Sequence, residues 1–330
     1  MNPKILWLGV FSEGVKKIMR DNAPHGFDLM FIESKTDKQE HLAALAQCDY
    51  LSVNGIKLTE EYVRAAKKLK LIQLWGAGVD SYDLNLLKEQ NIALQNGVGF
   101  NAPAVAEAAV MLMLAVNRQL IYADASVREG RWIKSEMRDQ NHSLYGKTIG
   151  ILGFGSIGRL VCELVYGMKA ARVLYYDPFR AQPEVERSLG AEYAEMDDVL
   201  RQSDVVSLHM PLIKEGPSGT RGIISRERLA MMKEDAILIN TARGGLVDEM
   251  ALYEALRDGR IRGAGLDSFS PEPPAADNPL FSLRNVVLMP HIAGAVVENI
   301  VPRVKHVYDC IAKFEKGESC DPRYVILPRH

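Results

Sequence analysis

Three side chains able to carry charge near neutral pH follow three successive apolar runs. Arg243 lies in Asn240-Thr241-Ala242-Arg243-Gly244-Gly245, after Ile237–Asn240. Glu272 lies in Ser270-Pro271-Glu272-Pro273-Pro274, after Gly263–Asp267, and His291 in Pro290-His291-Ile292-Ala293-Gly294, after Val286–Met289. Ends of parallel strands are where open α/β sheets place their ligands. An imidazole is the side chain best matched to giving and recovering a proton near pH 7. A carboxylate beside it raises its pKa and fixes its tautomer, a part open to Glu272. A guanidinium fork suits a carboxylate, and Arg243 can also polarise a carbonyl. One Arg or one His at a strand end is ordinarily a solvated charge or a satisfied core group. The three on successive strand ends make a constellation for proton-coupled chemistry on a carbonyl acid. His209 competes for the proton-donor role because it too follows an apolar run, Val205–Leu208. It lacks an acid nearby in sequence, so a structural or nucleotide-lining role is expected.

A second motif names the other reactant. Gly153-Phe154-Gly155-Ser156-Ile157-Gly158 follows the apolar run Thr148–Leu152 and opens a helix-forming stretch. The first glycine permits a tight turn, the second lets a pyrophosphate reach the backbone, and the third lets helix pack on strand. The N–H groups that start such a helix, Ser156 and Ile157 among them, face the phosphates. A further apolar run ends in Asp177, 19 residues after Gly158, where a carboxylate takes the adenosine ribose hydroxyls. Together these residues specify a dinucleotide site. A carboxylate at that point repels a 2′-phosphate and favours NAD over NADP, while Arg180, three residues on, bears the other way. Gly97-Val98-Gly99-Phe100-Asn101-Ala102 fits the looser fingerprint but leads to no strand with an acid, and reads as a crossing between domains. Hydride addition to a carbonyl needs both a nicotinamide and a proton donor, and the two motifs supply them.

The elements that must hold these residues alternate. Short apolar runs at Ile5–Val10, Leu29–Ile32, Tyr50–Val53, Leu71–Leu74 and Ile92–Leu94 are separated by amphipathic stretches such as Glu60–Lys68. The alternation breaks at Pro103, from which one long helix is expected to about Glu129, with Gly130 past its end. It restarts at Thr148 and continues to Met289, and Val296 to Lys316 reads as a final long helix ended by Gly317. The expected fold class is α/β with two doubly wound domains. Residues 1–101 and 296–330 form a discontinuous, flavodoxin-like substrate domain, and residues 102–295 a Rossmann NAD-binding domain. The two are expected to enclose a cleft.

Composition narrows the partners. With 330 residues, 47% hydrophobic, 25% charged and a formal net charge of −2, the chain can build sizeable cores and lacks the basic balance of a nucleic-acid binder. No run of about 18 apolar residues appears, so no membrane partner is expected. Cys48, Cys162, Cys310 and Cys320 are scattered, and none of the seven histidines has metal-ligand spacing. No metal is expected, and the location expected is the cytoplasm.

The chain resembles the D-isomer-specific 2-hydroxyacid dehydrogenases over nearly its whole length. The resemblance is carried by Gly76-Ala77-Gly78-Val79-Asp80, Asn101–Glu107, Arg128-Glu129-Gly130-Arg131-Trp132 and the glycine fingerprint. It continues through His209-Met210-Pro211-Leu212, Asn240–Asp248, Gly265-Leu266-Asp267 with Glu272, and Pro290–Gly294. It implies an NAD-dependent enzyme interconverting 2-oxo acids and D-2-hydroxy acids, with Arg243, Glu272 and His291 in the catalytic positions. It also implies a substrate site formed by Asn54, Gly55, Trp75, Gly76, Ala77 and Gly78, with the backbone around Ala77 and Gly78 at the substrate carboxylate. His209, Pro211, Thr241, Ala242, Asp267 and Gly294 are expected to line the cofactor. Asp267 falls near the nicotinamide carboxamide, a place where a structural cap is equally expected. The long helix is implied to serve a homodimer.

Phosphoglycerate dehydrogenases of this family often carry arginines in the loops matching Val53-Asn54-Gly55 and Leu74-Trp75-Gly76. Neither loop is basic here, so a non-phosphorylated substrate is expected. Trp75 facing the pocket would favour an apolar or aromatic acid, whereas facing the core it would not. Residues 213–219 make a longer connection than the family usually has. Two other readings share the fold: a corepressor-like protein that senses NAD(H), and an oxidoreductase acting on an inorganic or one-carbon donor. The complete Arg, Glu and His set favours the 2-hydroxyacid enzyme.

Overall fold

A computed structural model describes residues 2–214 and 216–328. The chain divides into two compact units, Met1–Asn101 with Val296–His330, and Ala102–Ala295.

The first unit runs β1 (Lys4–Gly9), α1 (Glu13–Asp21), β2 (Asp28–Ile32), α2 (Lys38–Leu45), β3 (Tyr50–Asn54), α3 (Glu60–Ala65), β4 (Leu71–Gln73), α4 (Leu84–Glu89) and β5 (Ala93–Gln95). The second runs α5 (Ala102–Asn117), α6 (Leu120–Arg128), β6 (Thr148–Leu152), α7 (Ser156–Gly167), β7 (Arg172–Tyr176), α8 (Pro183–Leu189), β8 (Ala191–Tyr193), α9 (Met196–Gln202) and β9 (Val205–Leu208). It continues with α10 (Arg226–Met231), β10 (Ile237–Asn240), α11 (Glu249–Arg257), β11 (Gly263–Leu266) and β12 (Val286–Leu288). The chain then returns to the first unit with α12 (Ile300–Glu315) and β13 (Val325–Leu327).

In the first unit the strand order is β13-β5-β4-β3-β1-β2, parallel except for β13, which pairs antiparallel with β5. Apart from that added edge strand this is the flavodoxin-like order. The second sheet, β12-β11-β10-β9-β6-β7-β8, is the Rossmann order extended by one strand. The α/β doubly wound class read from the sequence is therefore observed in both units.

Strand residues are apolar on both faces because helices cover both. Leu6 and Leu8 point to the core under α2, α3 and α4, while Ile5 and Trp7 point to the core under α1 and α12. Ile149 and Ile151 likewise pack with α5 and α7, whereas Leu152, Leu208 and Leu266 pack with α9, α10 and α11. Each fully buried Leu or Ile is worth about 1.5–3 kcal/mol, so a one-residue slip, which exchanges the faces, is strongly disfavoured. Trp7 also satisfies its polar tip: Nε1 donates to Tyr308 Oη (3.2 Å), whose hydroxyl donates to the Met19 carbonyl (2.8 Å), tying α12 to β1 and α1.

The expected single helix from Pro103 to Glu129 is two helices meeting at 62°. Its end is captured by tertiary partners: the Asn117 carbonyl accepts from His142 N–H and its Oδ1 from Arg262. Gln119 then takes a left-handed conformation (φ 45°) and α6 starts afresh. Among the described residues no single helix is long and apolar enough to cross a membrane.

Candidate active site

The dinucleotide fingerprint occupies the switch point of the second sheet, where β6 lies between β9 and β7. Gly153 follows β6 with φ 97°, and a Cβ there would stand 2.6 Å from the His209 carbonyl, so only glycine lets the ends of β6 and β9 approach. At Gly158 a Cβ would meet the Gly153 carbonyl oxygen at 2.1 Å, which sets α7 directly on the turn. Open space surrounds Gly155. No side chain caps α7, so the first N–H groups, from Ser156 and Ile157, stay available to an anion. Asp177 spans the turn: Oδ2 accepts from Phe154 N–H (2.7 Å) and Oδ1 from Phe179 N–H (2.9 Å). Arg180 is committed elsewhere, forked onto Glu186 (2.9 and 3.1 Å) and lying 5.1 Å from the Tyr193 ring centroid. Thr241 Oγ1, at the end of β10, is buried without a partner. A glycine turn with free N–H groups, a carboxylate just past β7 and an orphan hydroxyl fits an NAD.

His291 and Glu272 meet. His291 Nδ1 lies 2.7 Å from Glu272 Oε2, and Glu272 Oε1 accepts from Phe269 N–H at 2.9 Å. The hydrogen bond to Glu272 raises the imidazole pKa against the opposing effect of burial; Arg243 lowers it and Asp267 adds a smaller rise. Burial pushes the Glu272 carboxyl up, but His291 and the Phe269 N–H outweigh it, and the net direction is down. Both shifts favour imidazolium against carboxylate. Arg243 acts on both groups electrostatically, and its Nη1 also donates to the Ala242 carbonyl.

His291 has φ 56°, an uncommon conformation for a residue with a side chain. Asp267 holds it: its oxygens accept from the next two N–H groups, Ile292 (2.8 Å) and Ala293 (2.9 Å). Of the two roles open to Asp267, the cap is the one visible. Burial raises its carboxyl pKa in spite of those hydrogen bonds.

The Glu272 loop is fixed by a residue that the sequence reading missed. Glu249, first in α11, accepts from Ser270 N–H at 2.6 Å and from Asn278 Nδ2 at 3.3 Å, holding the loop on both sides of Glu272. A cavity of about 530 Å³ lined by Phe269, Pro273, Phe281 and Leu288 borders the pair and keeps one side apolar.

His209 is placed differently. Its Nε2 lies 2.8 Å from Ser207 Oγ, its Nδ1 is buried without a partner, and burial lowers its pKa to about 3. It is neutral at pH 7, and among the described residues no carboxylate acts on it. Pro211 stands at the neck of the long connection, where Thr220 Oγ1 donates to its carbonyl (2.7 Å) and accepts from Ile213 N–H (2.7 Å). Position 215 of the connection 213–219 lies outside the described residues. The Ala242 N–H donates to Asn240 Oδ1, shaping the turn before Arg243, and Gly294 follows Ala293 in the segment that Asp267 caps.

In the first unit, Asn54 ends β3 and precedes Gly55, while Trp75, Gly76, Ala77 and Gly78 follow β4. Trp75 packs edge-on against Trp7 and Phe11, with centroids 5.7 and 5.9 Å apart. It joins the core rather than standing free, which removes the argument for an aromatic substrate. Arg303 of α12 lies over its ring.

The model for the NAD-binding domain of D-isomer-specific 2-hydroxyacid dehydrogenases matches residues 110–293. The chain belongs to the D-isomer-specific 2-hydroxyacid dehydrogenase family. Over 267 residues it is 42% identical to a hydroxypyruvate reductase of Thermotoga maritima, covering 79% of this chain and 83% of that one. It is 39% identical to a D-3-phosphoglycerate dehydrogenase of Methanocaldococcus jannaschii, covering 86% of this chain but 53% of the relative. The structure of an NAD-dependent formate dehydrogenase from Staphylococcus aureus in complex with NAD is similar, with a TM-score of 0.85. That match has 26% identity and covers 99% of this chain and 100% of that one. NAD is the cofactor of this dehydrogenase, and the stretch from Gly153 to Asp177 falls within the matched NAD-binding domain.

Proposed function

We propose that the protein is a 2-oxo-acid reductase and D-2-hydroxyacid dehydrogenase in which His291 is the general acid and base, Glu272 its partner and Arg243 the group that binds the substrate carboxylate and carbonyl. The observation carrying the proposal is the 2.7 Å contact between His291 Nδ1 and Glu272. With Nδ1 so engaged, Nε2 is the ring nitrogen left to exchange a proton with the C2 oxygen. When bound, NAD gives or takes the hydride. Arg243 draws charge from the carbonyl as the alkoxide forms, and His291 delivers its proton there. In the opposite direction neutral His291 takes the hydroxyl proton, and Glu272 steadies the resulting imidazolium. The Ala77 and Gly78 N–H groups, with Asn54, Gly55, Trp75 and Gly76 around them, are assigned to the substrate by family resemblance.

NAD is preferred to NADP on this reading, because Asp177 faces the ribose and Arg180 is held by Glu186. The substrate is non-phosphorylated: neither loop after β3 or β4 is basic at Asn54, Gly55, Trp75 or Gly76. Cytoplasmic residence is proposed from the four unpaired cysteines. A homodimer is proposed from the family resemblance and from the exposed Met111, Leu120, Ile121 and Val127 on α5 and α6. Light scattering at micromolar concentration is expected to give twice the 36.7 kDa chain mass, and a monomer would remove this part.

The test of the whole reading is NADH oxidation with hydroxypyruvate and glyoxylate. His291→Gln is expected to lower kcat by about 10²–10⁴ while NADH binding stays near wild type. Near-normal turnover in His291→Gln, with loss in His209→Gln, would reverse the assignment.

A further inference from the structure

Arg303 is a half-buried cation with which no carboxylate among the described residues pairs. It is the fourth residue of α12, with its guanidinium carbon 5.3 Å from the Trp75 ring centroid. Its Nε is buried and has no hydrogen-bond partner, and among the described residues no carboxylate comes within ion-pair distance. Burial alone acts on its pKa, pulling it below the ordinary value. Removing a guanidinium from water without a partner costs stability. Stacking on an indole recovers part of that cost and leaves the fork of N–H donors unused.

The position of this charge gives it a use. Trp75 directly precedes Gly76-Ala77-Gly78, the loop assigned above to the substrate. The indole is wedged against Trp7 and Phe11, so it forms a rigid floor that fixes where the guanidinium stands. Sequence alone had shown no basic residue in either loop, and α12 supplies one from more than two hundred residues away.

We propose that Arg303 is a substrate-binding residue that recognises a second carboxylate, so that the preferred substrates are 2-oxo dicarboxylic acids. The proposal rests on the 2-oxo-acid reductase reading. One planar fork matches a carboxylate bidentately. A phosphate dianion ordinarily recruits several cations or a helix N-terminus, and among the described residues Arg303 is the one cation over Trp75. The 2-carboxylate common to all substrates is already assigned to the Ala77 and Gly78 N–H groups, which leaves Arg303 for the far end of the side chain.

The experiment measures kcat/KM with NADH for glyoxylate, pyruvate, oxaloacetate, 2-oxoglutarate and 3-phosphohydroxypyruvate in wild type, Arg303→Met and Arg303→Lys. Wild type is expected to favour one of the two dicarboxylates over pyruvate by at least tenfold. Arg303→Met should lower that dicarboxylate at least tenfold more than it lowers glyoxylate, chiefly through KM. Arg303→Lys, which keeps the charge and loses the fork, should fall between. A second readout is tryptophan fluorescence during titration with succinate or glutarate in the presence of NADH, with Trp75→Phe as the control. A quench is expected in wild type and its loss in Arg303→Met, and this readout decides the matter if that variant turns over too slowly to assay.

Equal losses for glyoxylate and the dicarboxylates would overturn the proposal by assigning Arg303 to the common carboxylate or to the fold. Preference for the phosphorylated acid, or no preference for a dicarboxylate, would overturn it as well. Failure to reduce any of the five acids removes the reductase reading and this inference with it. Reduction of glyoxylate without a dicarboxylate preference removes this inference alone.

Discussion

In the proposed mechanism reduction needs a charged His291 ring and oxidation a neutral one, so the group that sets its proton affinity would set the pH range of each direction. Glu272 is that group: its hydrogen bond is the largest influence on the ring and acts upward. Glu272→Gln keeps the shape and removes the charge, and the ring pKa should fall. Arg243 still opposes and Asp267 still supports the charged ring, so neither compensates. Because reduction uses imidazolium, the variant's reductase activity should disappear at lower pH than that of wild type and recover in part on acidification. Oxidation uses the neutral ring and should suffer less at alkaline pH. Profiles of kcat/KM against pH in both directions test this, and superimposable profiles would take Glu272 out of the proton transfer.

At the scale of elements, legibility followed sequence distance. The fingerprint from Gly153 to Gly158 and its Asp177 stand on one strand–helix–strand unit, so local order was enough to find them. Arg243, Glu272 and His291 were visible as ends of apolar runs, and chemistry suggested that Glu272 pairs with His291, although the contact itself was not legible. The helix break after Asn117 was hidden because its causes, His142 and Arg262, lie elsewhere in the chain. The run from Ala102 to Arg128 contains no glycine, and its one proline, Pro103, sits at the start, so nothing local announces a stop. The strands β8 and β13 have three residues each, too short for a periodic signal. Glu249 and Arg303 were missed for a related reason. A carboxylate at a helix start looks like ordinary dipole compensation, and an arginine in a helix looks like a solvated charge. Only tertiary structure shows the first gripping the Glu272 loop and the second lying on Trp75.

For the molecule as a whole, each unit has core clusters of its own, those of Ala102–Ala295 packing on both faces of its sheet. A ligand that binds the folded form adds about 2.7 kcal/mol at a hundred times its dissociation constant. For a unit of this size one kcal/mol moves the unfolding midpoint by roughly 2–4 °C. Saturating NADH should therefore raise the midpoint of the Ala102–Ala295 unit by about 5–10 °C. NADPH at equal concentration should raise it less, because its 2′-phosphate meets Asp177 while Glu186 keeps Arg180 from neutralising it. Asp177→Ser removes an acceptor and a repulsion together, so the NADH shift should shrink, the NADPH shift should grow, and the two should converge. Calorimetry of both proteins with each cofactor measures this directly. If NADPH stabilises wild type as strongly as NADH, then Arg180 exchanges Glu186 for the phosphate and the carboxylate does not discriminate.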